Sequence, residues 1–238
     1  MNPFYKKIIF FNLFSACFCM SGQLALNTTL SYLFSNSIYI FSFFIGLYLM
    51  SMGLGVLIVN KLPISEKNVI NFIVANALIS ILIANPGFFT LLYFNEETRM
   101  LLRTTHSQLH NLVFLFGIIL TILLGIVSGI ELPLFSKLLE STQEKDSSIL
   151  TALLTTDYLG AFVGSVLFSI LFYPFWGLIK GIILSQLFLL IALGIITATS
   201  FKMINKYLIV VLLIISVYVS FSWFNVDLFL EYLVKLTT

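Results

Sequence analysis

Seven long apolar stretches, separated by short polar connections, account for most of this 238-residue chain. They run approximately Ile8–Thr29, Ile38–Val59, Val69–Phe89, Leu112–Phe135, Ile149–Phe172, Leu178–Ala198 and Ile204–Phe224. Each approaches or exceeds the roughly 20 helical residues needed to cross about 30 Å of hydrocarbon. The third is the least regular, because Asn76, Asn85 and Pro86 interrupt it and its end falls anywhere from Ala84 to Phe94. Alternating segments of about ten residues, the mark of a closed membrane β-barrel, are absent. Charged residues make up only 9% of the chain, against about 25% in a soluble domain. The expected fold is therefore an all-α membrane protein, a bundle of seven transmembrane helices over residues 1–224. A short amphipathic tail, residues 225–238, carries Asp227, Glu231 and Lys235 at four-residue spacing and suits a helix lying on the membrane surface.

The net charge of +2 is too small to suggest nucleic acid as a partner, but its distribution is uneven. Lys6, Lys7, Lys61, Lys67, Lys137, Lys145, Lys202 and Lys206 fall on one side of a seven-span topology. Arg99, Arg103, Lys180 and Lys235 fall on the other. Positive charge collects on the cytoplasmic side, so the N-terminus is expected there, in a bacterial inner or plasma membrane.

Two connections are long enough to fold. Residues 95–111 mix Met100, Leu101 and Leu102 with charge and suggest an interfacial helix, whereas residues 140–148 read as a polar turn. His106 and His110 share a helix face, but no third ligand has a convincing spacing and they read as solvated histidines. Cys17 and Cys19 point about 200° apart on a helix and cannot bridge each other, so no metal site and no cofactor is expected. A second reading of the N-terminus is a lipoprotein signal ending at Cys17. The apolar run before that cysteine is short and continues well past it, which favours small core residues.

A weak internal repeat is visible. Ser21-Gly22-Gln23-Leu24 resembles Ser128-Gly129-Ile130-Glu131-Leu132, and Tyr48-Leu49 and Val56-Leu57 align without gaps to Tyr158-Leu159 and Val166-Leu167. Three spans separate the copies, so the second would be inverted relative to the first, as in many secondary transporters: a 3+3 inverted repeat plus one helix.

Helices in lipid associate through small residues and interhelical hydrogen bonds. Gly117, Thr121, Gly125 and Gly129 repeat every four residues in the fourth stretch, Gly160 and Gly164 mark the fifth, and Gly53 and Gly55 the second. All read as packing positions. Ser15, Cys19, Gln23 and Asn27 share the same spacing in the first stretch. Glu131 and Asp157 are different, because a carboxylate inside a membrane is retained where it faces a partner, a water-filled cavity or a substrate. They are candidate cation ligands or proton carriers, with Lys137 or Lys180 as possible ion-pair partners. Pro133, lacking an N–H, would free the carbonyl of Gly129 to help line such a site. The plainer alternative is that both carboxylates reach headgroup water.

The run Ser128-Gly129-Ile130-Glu131-Leu132-Pro133-Leu134, then Thr156-Asp157-Tyr158-Leu159-Gly160-Ala161-Phe162-Val163-Gly164-Ser165, then Tyr173-Pro174 and Gly177-Leu178, resembles the membrane half of multi-span spermidine synthase-like proteins. Phe44 through Gly55 is similar to that family's second span. The resemblance implies a carboxylate in the first span where Gln23 stands here, so a proposed acidic pair becomes Glu131 with a neutral amide. Gln23 and Tyr158 join the candidate binding residues on this ground. It also implies a soluble aminopropyltransferase domain with a glycine-rich loop for an S-adenosyl ligand. No such loop occurs in a soluble segment here, so the expectation is a chain without that catalytic half and not itself an enzyme.

Three functions follow. The first is a non-catalytic membrane module that recruits or regulates a separately encoded soluble aminopropyltransferase-like protein or another membrane subunit. The second is a carrier for polyamines or another small cation, using Glu131 and Asp157. The third, an intramembrane enzyme, is weakest, because no His-rich, Ser/Lys or paired-Asp constellation is present. A carrier requires its carboxylates to face a cavity at the repeat interface; a scaffold would pair them between helices.

Overall fold

A computed structural model describes residues 3–34, 38–65, 68–101, 107–140, 147–199 and 204–237. All regular structure among them is helical: α1 Pro3–Leu33, α2 Ile38–Lys61, α3 Val69–Leu101, α4 Ser107–Glu140, α5 Ser147–Leu167, α6 Tyr173–Thr199 and α7 Lys206–Thr237. A single π-helical turn, Phe168–Phe172, joins α5 to α6.

Six helical stretches, rather than the expected seven, are long and apolar enough to cross a membrane. The difference arises at the fifth, Leu150–Ala198, where no polar break separates the two expected spans and helical hydrogen bonding continues through the π turn. Its 49 residues would extend about 74 Å if straight. The stretch instead bends back at Gly177, whose φ of 74° and ψ of −179° suit glycine alone. The rings of Phe172 and Phe188, which a straight helix would hold about 24 Å apart, stack with centroids 6.1 Å apart.

Two further boundaries differ from the sequence expectations. Helix α3 passes through Pro86 and continues to Leu101, absorbing the start of the expected interfacial helix. The C-terminal tail is continuous with α7 rather than a separate element. His106 and most of the 140–148 turn lie outside the described residues, as does the side chain of His110.

Helix α1 crosses α4 antiparallel: Phe11 meets Phe135 at 5.8 Å between ring centroids, Ser15 meets Glu131, and Phe34 meets Phe114 at 5.1 Å. Each then packs most extensively against a parallel partner from the other half of the chain, α1 on α5 and α4 on α2. Asn12 and Ser21 reach the Leu153 and Gly164 carbonyls along the first pair, and Phe44 and Tyr48 reach Phe114 and Ser128 along the second. The next most extensive packings are α3 on α4 and α6 on α1. Exchanging α1 with α4, α2 with α5 and α3 with α6 returns these same four packings. Helix α7 lies outside the scheme against α6 and α3.

The outward faces carry exposed apolar side chains such as Phe162, Phe175, Ile191 and Phe221, a surface compatible with a lipid surrounding.

Candidate functional site

A cavity of about 340 Å³ lies where α1, α2, α4 and α5 meet. Glycines hold its walls together. A Cβ on Gly129 would strike the Met52 backbone in α2, and one on Gly164 would strike the Cys17 backbone in α1. Only the missing side chain lets each helix pair approach so closely. Gly125 faces the Tyr48–Ser51 turn, Gly55 faces Ile126 and Gly129, and Gly160 faces Leu13 and Ala16. Gly117 receives the Leu30 side chain instead of a backbone. Thr121 is buried and donates its one hydroxyl proton to the Gly117 carbonyl of its own helix. Gly53 is exposed with nothing near its would-be Cβ, which corrects the packing role expected from its spacing.

The structure brings Glu131, Asp157, Gln23 and Tyr158 together, since all four line this one cavity. Glu131 is 7% exposed, and the Ser15 Oγ lies 2.6 Å from each of its carboxylate oxygens. A hydrogen bond of that length pins the carboxyl group across the α1–α4 crossing. Asp157 is half-buried on α5, Gln23 is buried on α1, and Tyr158 is largely exposed beside Asp157. Lys137 turns the other way and donates to the Val59 carbonyl at 2.8 Å, at the end of α2. Helix α4 runs unbroken through Pro133, and the backbone carbonyl that receives a side-chain donor here is Val127, from Asn76 at 2.9 Å, rather than Gly129.

Several residues at this site were not singled out from the sequence as ligand contacts. Tyr48 donates to Ser128 Oγ at 2.7 Å, and both line the cavity. Cys19 and Asn27 line it as well, from the same face of α1 as Gln23. Four-residue spacing of Ser15, Cys19, Gln23 and Asn27 was the available signal, and it serves helix packing equally well.

Among the described residues two carboxylates line the cavity and no Lys, Arg or His does, while Met20, Leu24, Ile45, Leu49 and Met52 supply apolar wall. Such a lining favours a cation with hydrocarbon attached. The described residues contain no group of three His, Cys, Asp or Glu side chains able to hold a metal ion.

No protein-family model matches the chain, and no solved structure does. Similarity does extend to polyamine aminopropyltransferases. The chain is 31% identical over 159 residues to one from Leptospira interrogans, covering 66% of this chain and 28% of that protein. It is 28% identical over 187 residues to polyamine aminopropyltransferase 2 of Aquifex aeolicus, covering 79% and 34%. For polyamine aminopropyltransferase 2 of Ralstonia nicotianae the figures are 27% over 161 residues, 68% and 29%. A spermidine synthase-like relation therefore holds over most of the chain, and the chain spans about a third of the length of these curated relatives.

Proposed function

We propose that this bundle is the membrane module of a spermidine synthase-like system and acts by recruiting or regulating a soluble aminopropyltransferase, with no group transfer of its own. The similarity to polyamine aminopropyltransferases over two thirds or more of the chain carries this reading. In it, the bundle is a 3+3 inverted repeat plus one helix, set in a bacterial inner or plasma membrane. The bias of Lys and Arg over a seven-span topology supports an N-terminus on the cytoplasmic side, within reach of a soluble partner at the same face.

The test is reconstitution of the purified chain in lipid nanodiscs with a purified polyamine aminopropyltransferase from the same cells, followed by recovery through a tag on the bundle. Aminopropyl transfer to a labelled diamine recovered with the bundle, above that with empty nanodiscs, is the expected result. A folded bundle that recovers no transferase and leaves its rate unchanged refutes the reading.

A second reading, transport of a polyamine or another small cation, is favoured by one observation: Glu131 and Asp157 line a cavity where the two halves of the chain cross. Saturable flux of labelled putrescine or spermidine in proteoliposomes, lost in Glu131→Gln or Asp157→Asn, is its signature. Absence of flux from folded protein removes it.

A further inference from the structure

The cavity has a mouth, and it faces sideways. Gln23, Tyr48 and Glu131 are buried at its back, whereas the two exposed residues of its lining are Leu49 on α2 and Tyr158 on α5, at 59% and 72%. Helices α2 and α5 pack on α4 and α1 respectively and make no extensive contact with each other, so the opening lies between them. Among the described residues nothing covers its α2 edge. Gly46 and Gly53 share a helix face with Leu49, three residues before it and four after it, and a Cβ on either would meet nothing within 4 Å.

Depth decides what can pass. Leu49 stands 11 residues from Ile38 and 12 from Lys61, the ends of its span, and Tyr158 stands 8 residues from Leu150, where its own begins. At 1.5 Å per residue, each rim residue lies about 12–18 Å from the nearest end. In a bilayer with about 30 Å of hydrocarbon, such a mouth opens onto acyl chains rather than water. A ligand arriving that way must first dissolve in hydrocarbon. The lining by itself suits a cation, but an ammonium is far more costly at mid-bilayer than a hydroxyl. A hydroxyl can still donate to Glu131 or Asp157, because a carboxyl group accepts in either protonation state, and the Gln23 amide both donates and accepts. A volume of about 340 Å³ is at the lower end of those that hold small ligands, which suits a compact head with its chain left in the mouth.

We infer that the cavity is entered from the lipid phase through the α2–α5 gap and holds a neutral, single-chain amphiphile, its hydroxyl head bonded among Gln23, Glu131 and Asp157 and its hydrocarbon chain leaving past Leu49 and Tyr158. This goes beyond the recruitment reading, on which it does not depend, and it competes with the entry of a water-soluble cation.

The experiment is photolabelling of the full chain in phospholipid nanodiscs with a twelve-carbon primary alcohol carrying a mid-chain diazirine, mapped by peptide mass spectrometry. Label is expected within the lining, at Met20, Leu49, Met52 or Tyr158. Dodecanol should suppress it at about five-fold lower concentration than dodecyl methyl ether, the effect of one hydrogen bond. Ala161→Phe adds a ring to the α5 wall one turn from Tyr158 and should abolish the lining label, while label on the outward Phe175 and Phe221 persists. Label confined to outward side chains of the native chain, or lining label that excess dodecanol leaves unchanged, overturns the inference even if Ala161→Phe does not fold. Equal potency of alcohol and ether overturns the bonded head, and lining label that persists in folded Ala161→Phe overturns the mouth. Suppression by an aqueous four-carbon diamine and not by dodecanol overturns lipid-phase entry in favour of the transport reading.

Discussion

Replacing Gly129 by alanine tests whether the α2–α4 contact sets the geometry of the cavity. The added Cβ would lie 2.7 Å from the Met52 carbonyl carbon and 2.8 Å from its Cα, and closer still to its oxygen. Carbon atoms pack at about 3.5–4.0 Å, so α2 and α4 must separate by about 1 Å. The Tyr48–Ser128 bond at 2.7 Å lies one residue away and would stretch past useful length. Losing it costs about 1 kcal/mol, and overpacking adds about 1–3 kcal/mol. Alanine's better helix propensity offsets about 1 kcal/mol, leaving a net destabilisation of roughly 1–3 kcal/mol. Gly53→Ala is the matched control, in the facing helix and with nothing within 4 Å of its Cβ. It should be neutral or more stable by up to about 1 kcal/mol. In thermal unfolding monitored by intrinsic fluorescence in detergent, the two variants should differ by about 5–10 °C, at about 2–4 °C per kcal/mol for a chain of this size. Equal midpoints for both variants, or a Gly129→Ala midpoint at or above native, would refute the argument.

Other perturbations probe different contacts. Ser15→Ala removes the hydroxyl donor from the buried Glu131 carboxyl group and should cost about 1–3 kcal/mol; the double variant Ser15→Ala/Glu131→Leu should recover part of that loss, and a double variant worse than the sum of the singles counts against the pairing. Gly177→Ala forces a side chain into backbone that glycine alone adopts readily, and a loss of about 1–3 kcal/mol in the same melt is expected. The antiparallel α1–α4 register predicts that, with Cys17 and Cys19 replaced by serine, Phe11→Cys/Phe135→Cys and Phe34→Cys/Phe114→Cys cross-link readily. Phe11→Cys/Phe114→Cys should not cross-link, and its doing so would place α1 and α4 parallel. Lys137→Met removes the donor to the Val59 carbonyl; because Leu62 is exposed nearby, the loss should stay within about 1 kcal/mol, and a larger one would reveal a second role for this lysine.

The apolar runs made the helices legible, because twenty consecutive residues without charge leave few alternatives to a helix. They could not show where helical bonding would stop. Between Phe168 and Trp176 the sequence offers aromatic side chains and one proline but no polar break, so the π turn and the bend at Gly177 replace a loop. The carboxylates stood out individually, since each is costly in such a setting. Their gathering with Gln23 and Tyr158 depends on how α1, α4 and α5 cross, which no spacing within one helix encodes. Gly53 shows the converse limit: it shares its run with Gly55, yet a two-residue offset points the two glycines nearly to opposite sides of α2, and only Gly55 meets α4.

Because α1 rests chiefly on α5, and α2 on α4, the first three helices find little of their final company among themselves. During synthesis α1 would leave the ribosome with the faces that receive Gly160 and Gly164 still bare, and α2 would wait for α4. Were these helices to enter a bilayer one at a time, native assembly would still be postponed until α5 has been made. Until then Asn12 lacks its partners Leu153 and Thr156, so a chain ending before α5 is expected to be cleaved by added protease more readily than the full chain.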